Sequence, residues 1–210
     1  MNFKIKICGM RDAENIRQVL AYQPDLLGFI FYPKSSRYVD QDRLEKINAI
    51  DFGSTEKVGV FVNEDPQTII SVANRYQFNY IQLHGDETDE TIQFLQKQGL
   101  QVIKVISMAT SADLEMIQHY PSADYLLFDT KGQKRGGNGY KFDWGLLENI
   151  SIDKPIFLSG GLGVDDLKIV QENNRLKLSG LDFNSQLEEK PALKDIAKVK
   201  QLMNQINQEA

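Results

Sequence analysis

The sequence alternates between short apolar runs and longer polar stretches, and this alternation strongly limits the folds available to the chain. Eight runs have the character of strands: Lys4–Cys8, Leu26–Phe31, Lys57–Val62, Tyr80–Leu83, Val102–Ile106, Tyr125–Asp129, Pro155–Ser159 and Leu178–Phe183. Each is rich in β-branched or aromatic residues and is bounded by turn residues, as expected for strands that are buried on both faces. The runs therefore predict a parallel sheet covered by helices.

Polar amphipathic segments lie between these runs and predict the helices. Acidic residues, or an Asp-Pro pair, stand at most of their starts, where they suit a helix N-terminus. The predicted helices are Asp12–Leu20, Gln67–Tyr76, Asp86–Gln98, Asp165–Asn173 and Leu193–Ile206, with a short one over Asp143–Asn149. The charged stretch from Glu188 to Lys200 is interpreted as a solvated helix and its approach.

The number of strand–helix units favours one architecture. At roughly 25 residues per unit, eight units can close into a (β/α)8 barrel. A doubly wound open sheet is the structural alternative, but its G-x-G-x-x-G signature is missing after the first strand, where the chain has Cys8–Asp12. We therefore predict an α/β protein with a single (β/α)8 TIM barrel, forming one domain over residues 1–210.

Composition excludes several classes of protein. The chain has 24 basic and 29 acidic residues, and this acidic balance argues against a nucleic-acid binder. A single cysteine excludes a fold stapled by internal disulfides. Because neither a signal peptide nor a membrane-spanning run is found in the sequence, we expect a cytoplasmic protein with no membrane partner.

Polar residues gather where the predicted strands end, and in a barrel this pole carries the chemistry. The residues are Cys8 after strand one, His84 after strand four, Asp129 at the end of strand six, Gly160 and Gly161 after strand seven, and Asp182, Asn184 and Ser185 at strand eight. Packing alone does not require such a collection.

Cys8 and Asp129 are the candidates for proton transfer. A lone cysteine is most often a small buried hydrophobe, and it acts as a base only as a thiolate near a positive charge. Lys6 stands two residues upstream on the same strand face, and inside a barrel it would need a carboxylate partner. Taken alone, Asp129 is typical of a turn or a helix cap. If it faces Cys8 across the mouth of a barrel, desolvation could raise the pKa of its carboxyl group and let it act as a general acid.

The loops after strands seven and eight suit a phosphate, although a glycine pair is also typical of a tight turn. Barrels often hold phosphate between these two loops, where glycines let backbone N–H groups approach its oxygens. The candidate residues are Gly160, Gly161, Asn184 and Ser185.

Two further residues have competing interpretations. Arg37, in the second βα loop, can hold a carboxylate through two hydrogen bonds, or it can be an ordinary solvated loop residue. His84 could be a ligand or an acid–base group, but a structural hydrogen bond to loop backbone is the more common role. With two histidines and one cysteine in the chain, no metal-ligand cluster is apparent, and we predict chemistry without a metal.

Several motifs, taken together and in order, resemble those of phosphoribosylanthranilate isomerase. They are Lys6–Met10, Gly28–Val39, Val58–Asn63, Ile81–Asp86, Asp129 with Gly136–Gly139, Phe142–Trp144 and Leu158–Leu162. The resemblance covers nearly the whole chain.

This resemblance implies a (β/α)8 barrel of tryptophan biosynthesis that acts on a small phosphorylated substrate. The implied reaction is a cofactor-free Amadori rearrangement of N-(5-phosphoribosyl)anthranilate to the 1-deoxyribulose phosphate product. It implies that Cys8 is the general base, that Asp129 is the general acid and that Arg37 binds the anthranilate carboxylate. The other implied substrate-site residues are Lys6, His84, Gly160, Gly161, Asp182, Asn184 and Ser185. A monomer and a homodimer both stay open.

The chain departs from the family pattern mainly after strand eight. Gln186 and Ala192 stand where the family usually has glycine, and Asn138 replaces a Thr or Ser. A lost glycine restricts how closely backbone approaches phosphate. These changes favour one alternative, an idle barrel that only binds a phosphorylated ligand. A second alternative is another phosphosugar enzyme on the same barrel, such as an epimerase or a related Amadori isomerase. A histidine-pathway isomerase would have a carboxylate where this chain has Cys8. The presence of both Cys8 and Asp129 argues against a barrel that only binds its ligand.

Overall fold

Eight parallel strands close into a barrel in the computed structural model, which describes residues 3–131, 141–148, 150, 152–173 and 177–208. The strands are β1 (Lys4–Ile7), β2 (Leu26–Ile30), β3 (Glu56–Phe61), β4 (Tyr80–Leu83), β5 (Gln101–Met108), β6 (Tyr125–Thr130), β7 (Ile156–Leu158) and β8 (Gly180–Phe183). The predicted (β/α)8 barrel is confirmed, and the strand ends differ from the predicted ones by at most two residues.

Helices follow most of the strands. The α-helices are α1 (Ala13–Leu20), α2 (Gln41–Asn48), α3 (Pro66–Tyr76), α4 (Asp89–Gln96), α5 (Asp166–Glu172) and α6 (Ile196–Gln208), and 3-10 helices cover Ser111–His119, Trp144–Leu147 and Ser185–Leu187. The predicted starts of α1 and α3 are confirmed, because Asp12 and Asp65 cap them by accepting backbone N–H groups. Within the described ranges, no helix is both long and apolar enough to cross a bilayer.

Two helix predictions were incomplete. Helix α2 was not predicted, because it is polar along most of its length and buries only Leu44 and Ile47. Helix α4 begins at Asp89 rather than Asp86. The preceding loop uses the Glu87 carboxylate, which accepts the N–H of Gly85 and is therefore unavailable as a first-turn residue.

The segment before the last helix was predicted wrongly. It forms an antiparallel hairpin of β9 (Glu188–Lys190) and β10 (Leu193–Lys194), and α6 begins only at Ile196. The side chains of Glu188 and Lys194 are 4% and 0% exposed, so they are not part of a solvated helix. Their charges are paired across the fold, and sequence spacing carries no sign of this.

Side chains along the strands alternate between two apolar layers. Those facing the barrel axis form a small core that includes Leu26, Val58, Val60, Ile103, Leu127 and Phe157. The other face packs against the helices in a larger core. The apolar residues that face the axis fill the interior of the barrel. Polar residues at the carboxyl ends of the strands line the opening above this core.

One helix end offers a test of backbone strain. Gln77 follows α3, is exposed and has a φ of 56°, in the left-handed region. Relief of that strain outweighs the extra flexibility of glycine, so Gln77→Gly should raise the free energy of unfolding by about 0.5–1 kcal/mol in urea denaturation. The exposed Gln67 at the start of the same helix is the control, and Gln67→Gly should lower it by about 0.5–1 kcal/mol. Destabilisation by both variants would contradict the left-handed backbone conformation of Gln77.

Candidate active site

A cavity of about 800 Å³, including its open mouth, lies at the carboxyl ends of the strands. It is lined by Cys8, Ile30, Tyr32, Ser35, Arg37, Val60, Val62, Gln82, His84, Asp129, Thr130, Ser159, Gly160, Gly161, Leu162, Asp182, Asn184 and Ser185. Its size and its mixture of apolar walls with convergent polar groups suit a small ligand. Every candidate residue predicted from the sequence lines this cavity except Lys6.

Lys6 lies beneath the cavity instead of facing it. Its side chain is 0% exposed, and Nζ donates to Asp182 Oδ2 over 2.8 Å, from β1 to β8 where the barrel closes. Burial lowers the pKa of Lys6, but Asp182 and Cys8 together outweigh burial and leave that pKa raised, so the ammonium stays charged. The second oxygen of Asp182 is buried and accepts no hydrogen bond from the described part of the chain.

The Cys8 thiol lies on the same face of β1, closer to the mouth. Burial raises the pKa of the thiol, and the positive charges of Lys6 and Lys194 only partly oppose this effect. A side-chain carbon on Gly28 would lie 2.7 Å from Sγ, so the neighbouring strand needs glycine there to leave room for the sulfur. At neutral pH the thiol is therefore mainly protonated.

Asp129 ends β6 and faces the same cavity. Burial, followed by the negative charge of Asp182, raises its pKa to about 6. One carboxyl oxygen accepts the N–H of Thr130 at 2.9 Å, and the other lies 3.4 Å from His84 Nε2. A carboxyl that keeps its proton close to neutrality is suited to donate that proton to a ligand.

Gln82 and His84 extend this group along β4 and its following loop. Gln82 Nε2 lies 3.4 Å from His84 Nδ1, so the imidazole stands between the amide and Asp129. Gln82 Oε1 is buried and has no hydrogen-bond partner within the described ranges. Sequence analysis did not select Gln82 as a site residue. Its position two residues before His84 could have indicated it, because residues i and i+2 of an extended chain point to the same side.

Arg37 is held by a residue that the sequence analysis missed. Its Nε and Nη2 donate to Glu188 Oε1 and Oε2 at 2.9 and 2.6 Å, and its side chain is only 11% exposed. Lys194 Nζ donates to Glu188 Oε1 and to Asn184 Oδ1, both at 2.9 Å. Burial raises the pKa of Glu188, but Arg37 and Lys194 outweigh it and keep that pKa low. The side chain of Arg37 is therefore held in place by Glu188 and is not an ordinary solvated loop residue.

The glycines after β7 meet a strict steric requirement. Gly160 and Gly161 have φ values of 93° and 74°, in the left-handed region. A side-chain carbon on Gly160 would lie 2.3 Å from Thr130 Oγ1. These glycines line the same cavity as Asn184 and Ser185, so the loops after β7 and β8 both reach it.

The two departures from glycine have different positions. Gln186 is exposed beside Gly163. Ala192 occupies the turn between β9 and β10 with a φ of 67°, and its N–H donates to Glu188 Oε1 at 3.1 Å. Ala192 therefore contacts the carboxylate that holds Arg37, and does not line the cavity. The motif Gly136–Gly139, which contains Asn138, lies outside the described residues.

The arrangement supports proton transfer on a small anionic molecule. One cavity is lined by a carboxyl whose pKa is raised to about 6, a thiol beside an ammonium, an arginine and glycine-rich backbone. In the described part of the chain, no three His, Cys, Asp or Glu side chains are grouped so that they could hold a metal ion.

The raised pKa of Asp129 predicts how stability depends on pH. The folded state binds this proton more tightly than the unfolded chain, so the stabilisation is complete below pH 3.8 and is lost as the pH rises through about 6. Asp129→Asn removes this titration. Its unfolding free energy relative to wild type should therefore rise by about 3 kcal/mol between pH 3.5 and 7 in urea denaturation. An exposed control, Asp153→Asn, should follow wild type, and equal curves for all three proteins would contradict the burial of a titrating carboxyl.

Comparison with known proteins identifies the family. The model of the family "N-(5'phosphoribosyl)anthranilate (PRA) isomerase" matches residues 5–205. The chain is 40% identical to the N-(5'-phosphoribosyl)anthranilate isomerase of Parabacteroides distasonis, over 96% of this chain and 92% of that one, and 41% identical to that of Phocaeicola vulgatus, over 97% and 98%.

Solved structures agree with these relatives. The phosphoribosyl anthranilate isomerase of Thermotoga maritima superposes with a TM-score of 0.88 at 31% identity, covering 98% of this chain and 99% of that one. A phosphoribosyl anthranilate isomerase in complex with reduced 1-(o-carboxyphenylamino)-1-deoxyribulose 5-phosphate has a TM-score of 0.84 at 29% identity, with the same coverage. Since the match extends over nearly the whole barrel and its mouth, the chain belongs to the phosphoribosylanthranilate isomerase family and is an isomerase.

Proposed function

We propose that this protein converts N-(5'-phosphoribosyl)anthranilate to 1-(2-carboxyphenylamino)-1-deoxyribulose 5-phosphate in tryptophan biosynthesis. Residues 1–210 act as one cytoplasmic catalytic domain, and the reaction needs no cofactor. The observation that carries the proposal is the pairing of Asp129, whose pKa is raised to about 6, with the Cys8 thiol in one cavity of a family member. An aldose-to-ketose rearrangement needs such an acid and such a base.

The proton transfers can be assigned to these two groups. Asp129 donates its proton to the furanose ring oxygen, the ring C–O bond breaks, and a Schiff base forms between C1′ and the anthranilate nitrogen. Cys8, as the thiolate, removes the proton from C2′, and the electron pair moves through C1′ to the nitrogen to give an enolamine. The enolamine then tautomerises to the ketone, moving the hydroxyl proton to C1′.

The environment of Cys8 explains how a buried thiol can serve as the base. Burial keeps its pKa raised, so the thiolate is a minor form that is correspondingly basic. Lys6 and Lys194 are the cations that stabilise this form when it arises. Asp182 forms a 2.8 Å ion pair with Lys6 and offsets its positive charge. Lys6 therefore does not stabilise the thiolate so strongly that Cys8 would lose its basicity.

Two groups of residues that line the cavity suit the two anionic ends of the substrate. Arg37, at the loop after β2, would bind the carboxylate of the anthranilate group. Backbone at Gly160 and Gly161, with Asn184 and Ser185, would bind the phosphate. The molecule bound in the solved relative carries a carboxyphenyl group and a phosphate, the two anionic groups that these residues would bind. The net charge of −5 shows that these local groups must provide the attraction.

Loss of either proton-transfer group should abolish most of the turnover. Cys8→Ala and Asp129→Asn should each lower kcat by about 10²–10⁴-fold, because an acid–base group typically contributes this much. The fluorescence of phosphoribosylanthranilate, generated in the assay, would be followed as it disappears, with circular dichroism as the check of folding. Turnover close to wild type in Cys8→Ala would remove Cys8 as the base, and no turnover by folded wild type would favour the idle barrel.

Loss of the arginine should affect binding and not chemistry. Arg37→Ala removes charge-assisted hydrogen bonds to the substrate carboxylate, so KM should rise about 10- to 100-fold while kcat stays within a few-fold. Arg17→Ala is the control, since Arg17 is 53% exposed on α1. An unchanged KM in Arg37→Ala would show that the carboxylate binds elsewhere.

A further inference from the structure

Glu188 is nearly completely buried behind Arg37 and accepts hydrogen bonds from three residues. The donors are Arg37 through Nε and Nη2, Lys194 through Nζ, and the backbone N–H of Ala192. We propose that Glu188 is a positioning residue, which holds the Arg37 guanidinium with its free edge towards the carboxylate of the substrate. This inference deepens the proposed function and rests on it for the identity of that carboxylate.

Among the described residues, the hydrogen bonds of the Arg37 guanidinium use only one of its edges. Glu188 takes the edge formed by Nε and Nη2 at 2.9 and 2.6 Å. A guanidinium has a second edge, formed by Nη1 and Nη2, that can bind another carboxylate. Arg37 lines the cavity and its side chain is 11% exposed, so part of this mostly buried side chain is open to a ligand while Glu188 stays bound.

The carboxylate of Glu188 is itself fixed from the other side. Lys194 donates to it at 2.9 Å, and the same ammonium donates to the side-chain and backbone oxygens of Asn184 at 2.9 and 3.2 Å. The chain of contacts therefore ties the loop after β2 to the end of β8. Gly9 leaves the space that Arg37 occupies, because a side-chain carbon at Gly9 would lie 2.6 Å from Arg37 Cδ and would displace the arginine.

Positioning and simple electrostatics predict opposite effects for the loss of this carboxylate. Glu188 carries a negative charge next to the proposed binding position of another negative group, so its removal would strengthen anion binding if charge alone decided. If Glu188 positions Arg37, removal weakens binding, because the long side chain loses its fixed orientation and is repelled by Lys194. The direction of the change in affinity therefore separates the two roles.

The test compares two ligands that differ in one carboxyl group. The probes are reduced 1-(o-carboxyphenylamino)-1-deoxyribulose 5-phosphate and its phenylamino analogue without the carboxyl group, titrated calorimetrically into full-length protein. In Glu188→Gln, Kd for the carboxylated probe should rise about tenfold, as expected for charge-assisted hydrogen bonds, and Kd for the analogue should change less than about twofold. In turnover assays KM should rise while kcat stays within a few-fold.

Two further variants keep the experiment decisive. Glu188→Asp retains the charge but is one methylene too short, so it should weaken binding of the carboxylated probe alone, and it replaces Glu188→Gln if that variant does not fold. Glu189→Gln is the matched control on the same strand, because Glu189 is exposed, and it should bind both probes as wild type does. In an Arg37→Ala background the effect of Glu188→Gln should disappear.

The outcomes separate this inference from the proposed reaction. Glu188 variants that bind the carboxylated probe as well as wild type, or that lose both probes equally, would overturn the positioning role. Equal binding of both probes by wild type would overturn it too, since Arg37 would then contact no carboxylate. Preference of wild type for the carboxylated probe, with loss in the variants but no turnover, would uphold the positioning role and refute the isomerase reaction.

Discussion

The ion pair between Lys6 and Asp182 joins the first and last strands of the barrel, and the site is built around it. The two residues stand opposite each other in the register of β1 and β8. Burying two charges is costly unless they are paired with good geometry, and the 2.8 Å contact meets that condition. Two residues further along the same strand directions stand Cys8 and Asn184, so the closure of the barrel also places the thiol and one residue of the proposed phosphate site.

Local physical rules account for the parts of the fold that were predictable. Strands buried on both faces have to be continuous apolar runs, and helices capped by Asp12 and Asp65 have to begin where those side chains can accept backbone N–H groups. Once the barrel is inferred, topology alone brings Cys8 and Asp129 to one mouth, because all parallel strands end on the same side. These predictions need no knowledge of distant contacts.

The remaining features depend on partners that are far apart in sequence. Arg37 and Glu188 are separated by 151 positions, and nothing near either residue indicates that they meet. Lys194 has the sequence context of a solvated helix, yet it is buried and burial lowers its pKa to about 8. Lys6 was correctly expected to need a carboxylate, but its depth below the cavity depends on the packing of β8. Such positions are decided by three-dimensional neighbours and not by local propensity.

Closure of the barrel also has a consequence for the order in which the protein matures. Ribosomal synthesis makes Lys6 and Cys8 more than 170 residues before Asp182, so the ammonium lacks this partner until β8 has been made. Strand β1 can take its final buried position only then, because an unpaired charge inside the barrel would be costly. Contacts of such long sequence separation form late in folding. Cys8 and Asp129 are therefore both synthesised before the strand that completes the cavity between them.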